Sequence, residues 1–405
     1  MRSSPSTYSG RRGTLAFVPP RYGPGVVGGA EVVFAEFAHG LADRGWDVEI
    51  LTTCARDHYT WANEFPAGAT AVDGVTVRRF PTVIDTDGRQ RDVLGNRLLA
   101  GERLTLEEQQ RWVNDSLRVP DLWFHVLDHT ADYRALFLGP YMFWTTYAVG
   151  QVDPDRTIII PCLHREPAAS LDIYKPLIEG ALGIVFLSDP EQALADELFR
   201  LPGNTTVIGS GIDLPDRYDV ETFRRAHGID GRFVYYAGRR EWAKGWLDLV
   251  EAFRIVRERG SDLRLVTSGA GDPTLGADGL DGALIDLGFV DDATRDAAMA
   301  AADAYVQPSA LESFSRTILE AWGAGTPVIA NAESEVVSWH VERSGAGVLY
   351  RGGAELVEAL TMLDQHPQAY EALATQARDY VVRHYEPSTV LDALEDAIES
   401  WTATP

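Results

Sequence analysis

Only two cysteines, Cys54 and Cys162, stand among the 405 residues of this chain. They make no disulfide framework and fit a reducing compartment. Long apolar runs are also missing. TLAFVPP is short, and no run approaches the roughly 18 residues that a membrane span needs. The N-terminal MRSSPSTYSGRRG carries arginines with no apolar segment behind them, so it does not read as a secretory signal. These absences predict a cytoplasmic protein with no transmembrane segment, and they leave peripheral membrane contact open. Positive charge is scarce as well: 36 Lys and Arg face 60 Asp and Glu, a formal net charge of −24. That balance excludes general attraction to polyanions, so no nucleic-acid partner is expected.

What is present is a globular composition, 45% hydrophobic and 24% charged. The length exceeds one ordinary core and predicts two domains. TLAFV (14–18) and DVEILTT (47–53) read as strands around a helix in which Val33, Phe37 and Leu41 recur at i, i+4 and i+8. Strand, glycine-rich turn, helix and strand make a βαβ unit, hence a parallel sheet. ALFLGPYMFW (135–144), TIIIPCLH (157–164) and GIVFLSDP (183–190) continue the series, while 86–132 is more polar and helical and reads as an insertion. GSGIDLPDRYDV (209–220) is rich in turn formers. A second alternation follows it: FVYYAG (233–238), LRLVTSG (263–269), ALIDLGFV (283–290), AYVQPSA (304–310) and PVIAN (327–331). The expected fold is α/β, with two Rossmann-like doubly wound parallel-sheet domains, 1–220 and 221–387, facing a central cleft. The last helical stretch, 391–401, fits either domain.

Ligands of such sheets bind outside the C-terminal ends of the strands. YYAGRREWAKG ends a strand at Gly238 and follows it with Arg239, Arg240, Lys244 and Gly245. Cations there suit a phosphate, arginine as a fork and lysine as a point charge. A solvated basic turn fits the same pattern. In ESFSRTILE (312–320) a helix opens between two carboxylates, and its first N–H groups carry the positive dipole end that a diphosphate prefers. Glu320 lies roughly 8 Å further along, about the reach from a phosphate to a ribose, whose hydroxyls a carboxylate can accept. Glu312, on the other side, would face the group beyond the diphosphate. A capping Glu312 and a surface Glu320 satisfy the spacing equally. YGPGVVGGAE (22–31) puts Gly28 and Gly29 at a turn where backbone can approach a ligand, without the full dinucleotide fingerprint. PCLHREP (161–167) sets His164 beyond a strand end, where a structural role is equally open. His125 and His129 stand at i, i+4 with no third ligand in sequence, so no metal site is expected.

Together these stretches resemble a family 4 glycosyltransferase, a retaining, nucleotide-sugar-dependent enzyme of GT-B fold. GGAE, L-A-D-R-G-W-D-V, PCLHREP, FLSDPEQALA, GSGID, GRREWAKG, LGFVDD and the E-x7-E stretch ESFSRTILEAWGAGTPVIA carry the resemblance over most of the chain. It implies that Arg239 and Lys244 hold the donor diphosphate, that Glu320 binds the ribose, and that Glu312 meets the hydroxyls of the transferred sugar. Phe314, Ser315, Arg316 and Thr317 would support sugar and phosphate through their N–H groups. Val290 would contact the base through its backbone, with Gly238 in the same donor site. Gly28 and Gly29 would back the diphosphate, His164 would lie near the reacting centre, and 388–405 would cross back to the first domain.

The reaction so implied moves a hexosyl group from a UDP- or GDP-linked sugar to a hydroxyl of an unspecified acceptor. His164, Glu312, Arg239 and Lys244 are its catalytic residues, with neither cofactor nor metal. Ser315 stands where many members have glycine. A nucleotide-sugar epimerase, a phosphorylase and a non-catalytic sugar-nucleotide-binding protein are alternatives that use the same residues. An oxidoreductase with a dinucleotide is disfavoured by the incomplete glycine pattern.

Overall fold

The structure, a computed structural model, describes residues 12–26, 28–84 and 87–403. Residues 1–11, read above for a secretory signal, lie outside them. So do Val27 in the glycine-rich turn and residues 85–86 at the start of the polar insertion. The chain forms two compact units. The first comprises 1–186, 195–207 and 391–405, and the second 187–194 and 208–390.

In the first unit eight strands run β1 (Thr14–Val18), β2 (Asp47–Thr53), β3 (Gly68–Val72), β4 (Val75–Phe80), β5 (Tyr133–Leu138), β6 (Thr157–Ile159), β7 (Gly183–Phe186) and β8 (Thr205–Val207). Their order across the sheet is β3-β4-β2-β1-β5-β6-β7-β8. Every pairing is parallel except β3 with β4, a correction to the all-parallel expectation. Asp73 and Gly74, at φ 48° and 82°, make the tight turn of that hairpin. Strand β3, GATAV, is exposed along most of its length and so lacks the apolar alternation that marks a strand. Helix α1 (Gly29–Asp43) follows β1 and buries Val33, Phe37 and Leu41, the positions its periodicity singles out. The insertion folds as α2 (Arg89–Leu99), α3 (Leu106–Asn114) and α4 (Pro120–His129). Thr105 and Glu108 start α3 with a reciprocal capping box. Short helices α5 (Trp144–Val149) and α6 (Lys175–Gly180) follow, then α7 (Asp189–Leu198), of which residues 189–194 count with the second unit.

The second unit carries α8 (Val220–His227), β9 (Phe233–Ala237), α9 (Trp246–Glu258), β10 (Arg264–Ser268), β11 (Leu284–Asp286), α10 (Asp292–Ala301) and β12 (Ala304–Gln307). It continues with α11 (Arg316–Gly323), β13 (Val328–Asn331), α12 (Glu335–Ser344), β14 (Gly347–Tyr350), α13 (Gly352–Gln365) and α14 (Pro367–His384). Its sheet is parallel throughout, in the order β11-β10-β9-β12-β13-β14. Trp246, Phe253, Val234, Leu265 and Leu360 lie in the core between sheet and helices.

Apart from 187–194, the second unit runs from Ile208, where 221 was expected. Strand β8 pairs with β7, so the first sheet keeps the chain up to Val207. Beyond it the Ile212 N–H donates to the Tyr385 carbonyl and the Arg316 guanidinium holds the Gly211 carbonyl. The first unit also takes the chain from 391 onward, which includes residues 391–401 of helix α15 (Pro387–Trp401). There Glu395 accepts from Arg12, Arg44 and the Trp46 indole. Among the described residues no helix is long and apolar enough to cross a membrane.

Candidate functional site

In the second unit β9 and β12 are neighbours, but the chain continues from β9 to one side of the sheet and from β12 to the other. The loops after these two strands therefore diverge, leaving the crevice in which doubly wound sheets bind ligands. Residues 238–245 form one loop and 308–315 the other. They meet at Gly245, whose φ is 70° and where a Cβ would lie 2.4 Å from the Pro308 carbonyl oxygen. Neither the conformation nor the contact admits a side chain without movement.

The two adjacent arginines separate in role. Arg240 is buried, donating to the carbonyls of Gly269 and Gly271 and pairing with the Asp286 carboxylate. It ties together the loops after β9, β10 and β11. Asp286 also accepts from the Gly288 N–H, which fixes the turn leading to Val290. Arg239 points its guanidinium outward and pairs with Glu241 at 3.0 Å. The Tyr236 hydroxyl donates to the Arg239 carbonyl, and burial raises its pKa. Gly238 sits close under that ring, with a would-be Cβ 2.8 Å from the hydroxyl. Lys244 Nζ lies 2.9 Å from Glu312 Oε1, with the two side chains 29% and 15% exposed. Lys244 is one of two lysines in the whole chain, the other being Lys175.

Helix α11 begins at Arg316 with Ser315 as its N-cap residue, in the left-handed region at φ 60°, ψ 60°. The serine thus adopts the conformation for which glycine is usual, at a cost of about 1–2 kcal/mol. Its Oγ accepts from the buried Gln307 side chain at 2.8 Å. Phe314, before the cap, is buried, and Thr317 in the first turn is half-buried. The Arg316 side chain is engaged with Ser210 and Gly211, so only its backbone faces the helix start.

Glu320 has partners the sequence did not reveal. Arg295 Nε lies 3.7 Å from one carboxylate oxygen and Arg316 Nε 3.6 Å from the other, in a side chain 14% exposed. Two guanidiniums account for a carboxylate among Ile318, Leu319, Ala321 and Trp322. Arg316 stands at i−4 and was legible in principle. Arg295 comes from α10 and was missed. Burial disfavours its charge, but Glu320, Asp292 and Asp296 outweigh that and raise its pKa. Its buried Nε makes no protein hydrogen bond. Burial pushes the neighbouring Asp296 carboxyl up, and Arg295 only partly opposes this.

Gly28, Gly29 and His164 belong to the first unit. Gly28 is extended backbone, and a Cβ there would overlap the Glu31 carboxylate, 2.0 Å away. Glu31 pairs with the buried Arg21 at 2.5 Å. Gly29 has open space where a Cβ would stand. His164 Nδ1 lies 3.0 Å from Glu166 Oε1, although off the hydrogen-bonding direction. The Tyr141 hydroxyl donates to the same oxygen at 2.8 Å. Burial works to raise the Glu166 carboxyl, but His164 and Tyr141 outweigh it and hold it below the usual range. His125 contacts the Tyr133 hydroxyl and His129 lies beside Asp132. Among the described residues no three His, Cys, Asp or Glu side chains converge as a metal site.

Residues 231–365 match the family model described as glycosyl transferases group 1. Phosphatidyl-myo-inositol mannosyltransferase of Mycobacterium tuberculosis is 33% identical over 194 residues, 43% of this chain and 48% of the relative. The match thus spans about half the length of that relative. The enzyme of the same name from Mycobacterium leprae is 33% identical over 277 residues, 59% of this chain and 72% of the relative. Sucrose-phosphate synthase from Thermosynechococcus elongatus superposes with a TM-score of 0.71 at 18% identity, covering 97% of this chain and 100% of the other. Anabaena HepE, solved in complex with UDP-glucose, gives 0.69 at 18% identity over 96% and 99%. With two doubly wound units and this pattern of relatives, the chain belongs to the family 4 glycosyltransferases and has the GT-B fold.

Proposed function

We propose that the protein is a retaining glycosyltransferase that moves a hexosyl group from a nucleoside-diphosphate sugar to an acceptor hydroxyl without a metal. The observation that carries this is the 2.9 Å contact of Lys244 with Glu312, which brings the cation of the β9 loop and the carboxylate before α11 to one point of the switch crevice. The UDP-glucose complex of the Anabaena neighbour supports a nucleotide-sugar donor. The mannosyltransferase names of the relatives support a hexosyl group.

In transfer the anomeric carbon–oxygen bond breaks, its electron pair passes to the departing diphosphate, and the acceptor oxygen bonds to carbon. The acceptor proton leaves with the nucleotide product. Arg239, Lys244 and the N–H groups at the start of α11 take up the growing negative charge, each such donor being worth about 3–4 kcal/mol. This charge set takes the place of a metal in the reading. Glu312 accepts from the sugar hydroxyls once Lys244 turns to phosphate. Glu320, braced by Arg295 and Arg316, accepts from the ribose. Val290 meets the base through backbone, and His164, backed by Glu166, is the residue of the first unit assigned to the reaction by the family resemblance.

The test is nucleoside-diphosphate release from UDP-, GDP-, dTDP- and ADP-sugars, with and without EDTA. Slow release from one donor is expected, indifferent to EDTA and reduced about 10²–10³-fold in Glu312→Ala and Arg239→Ala. Conversion of the donor sugar without release would favour epimerisation. Binding without turnover in the presence of candidate acceptors, unchanged in His164→Ala, would favour a binding protein.

A further inference from the structure

His340 on α12 is fully buried. Its Nε2 lies 3.1 Å from the Phe314 carbonyl oxygen and its Nδ1 3.1 Å from the Tyr380 hydroxyl. Burial pushes its pKa down to about 3, so the ring is neutral at physiological pH. A neutral imidazole has one donor and one acceptor nitrogen, and a carbonyl only accepts. The proton therefore sits on Nε2 and is donated to Phe314. Nδ1 accepts from Tyr380, whose oxygen is 3.4 Å from that of Tyr385. The rings of Phe314, Trp322, Tyr380 and Tyr385 pack around the imidazole at steep angles.

The Phe314 carbonyl shares its peptide group with the Ser315 N–H. That bond is trans, so the two point in opposite directions. Anchoring the carbonyl to His340 turns the Ser315 N–H to the side away from the imidazole. Ser315 is held at a positive φ that residues other than glycine avoid. Rotation of this one peptide is the simplest way for it to escape. The chain thus keeps a serine in a glycine conformation while a buried histidine grips the carbonyl next to it. Gln307 grips the hydroxyl.

We propose that His340 is a positioning residue which, through the Phe314 carbonyl, holds the Ser315 peptide in the orientation that binds the donor diphosphate. The inference rests on the donor-site reading above. It is tested by titrating the full-length protein with inorganic pyrophosphate, UDP and GDP, and by measuring KM and kcat for whichever donor is turned over. His340→Phe keeps a ring and removes the donor nitrogen. It should weaken pyrophosphate and nucleotide binding about tenfold, with KM rising more than kcat falls. Adding Ser315→Gly should recover most of that loss, because glycine holds the left-handed turn without an anchor. His340→Gln, which retains an N–H donor, should lie between.

Wild-type affinity in His340→Phe would overturn the proposal. So would a loss that Ser315→Gly leaves unrelieved, which marks a role in packing alone. If His340→Phe does not fold, Tyr380→Phe is read in its place, with a smaller loss and the same rescue expected. A wild-type protein that responds to none of the three probes would overturn the donor-site reading itself, and the two failures are thereby distinguished.

Discussion

Arg239 and Arg240 are adjacent and chemically identical, yet one ties three loops together and the other faces outward. A sequence shows that a basic pair ends a strand, but not which member is buried, because that depends on where Gly269, Gly271 and Asp286 fall in the fold. The meeting of Lys244 and Glu312 was anticipated from a basic loop at one strand end and a carboxylate before one helix start, whereas spacing alone left Glu320 open between a surface and a buried place. Arg295, Asp286 and His340 were not legible, since each reaches the site from an element distant in sequence. His340 leaves a thermodynamic mark of its own. Unfolded it titrates near 6.5 and folded near 3, so between those values the unfolded chain binds more protons. Its contribution to stability is complete above pH 6.5 and is lost as the pH falls, by roughly 2 kcal/mol at pH 5. Denaturant unfolding of the wild type at pH 5 and 7 should show this loss, and His340→Phe should lack that part of it. Equal pH dependence in the two proteins would contradict a buried, neutral imidazole.

Among the elements, the buried parallel strands were easy to read. Runs such as TLAFV and DVEILTT coincide with β1 and β2 and are buried along nearly their whole length. The edges were harder: β3 is exposed, β8 has three residues, and β14 lies at the margin of its sheet. Such strands are defined by the neighbour they pair with, more than by their own composition. ALFLGPYMFW read as a buried strand leading into a loop, and β5 ends at Leu138, before Gly139 and Pro140. The crevice depends on the closest approach of two loops, at Gly245. Gly245→Ala forces a Cβ against the Pro308 carbonyl and a left-handed alanine, so it should cost about 2 kcal/mol or more and raise the donor KM. Gly260→Ala is the control. It also has a positive φ, but nothing lies within 4 Å of its Cβ position, so only the conformational cost should remain and KM should not change.

At the scale of the whole molecule, two units of nearly equal architecture were expected from the alternation of strands and helices. The turn-rich 209–220 was given to the first domain, whereas β8 closes the first sheet at Val207 and the chain from Ile208 belongs to the second unit. The composition holds a further lesson. A chain with 36 basic residues carries only two lysines, so nearly every cation in it is a guanidinium. Lys175 lies beside Asp172, half-exposed, and Lys244 beside Glu312 in the switch crevice. Apart from the chain's α-amine, these are its only primary amines. The protein therefore carries a built-in chemical footprint: in the proposed function one amine reports the donor and the other serves as an internal reference. Mild acylation followed by mass spectrometry of the two peptides should show Lys244 protected as a nucleoside-diphosphate sugar is added, while Lys175 keeps reacting at a constant rate. Parallel protection of both, or of neither, would separate Lys244 from the donor. The near-absence of lysine thus makes occupancy of a single site readable without a label, an acceptor or a turnover.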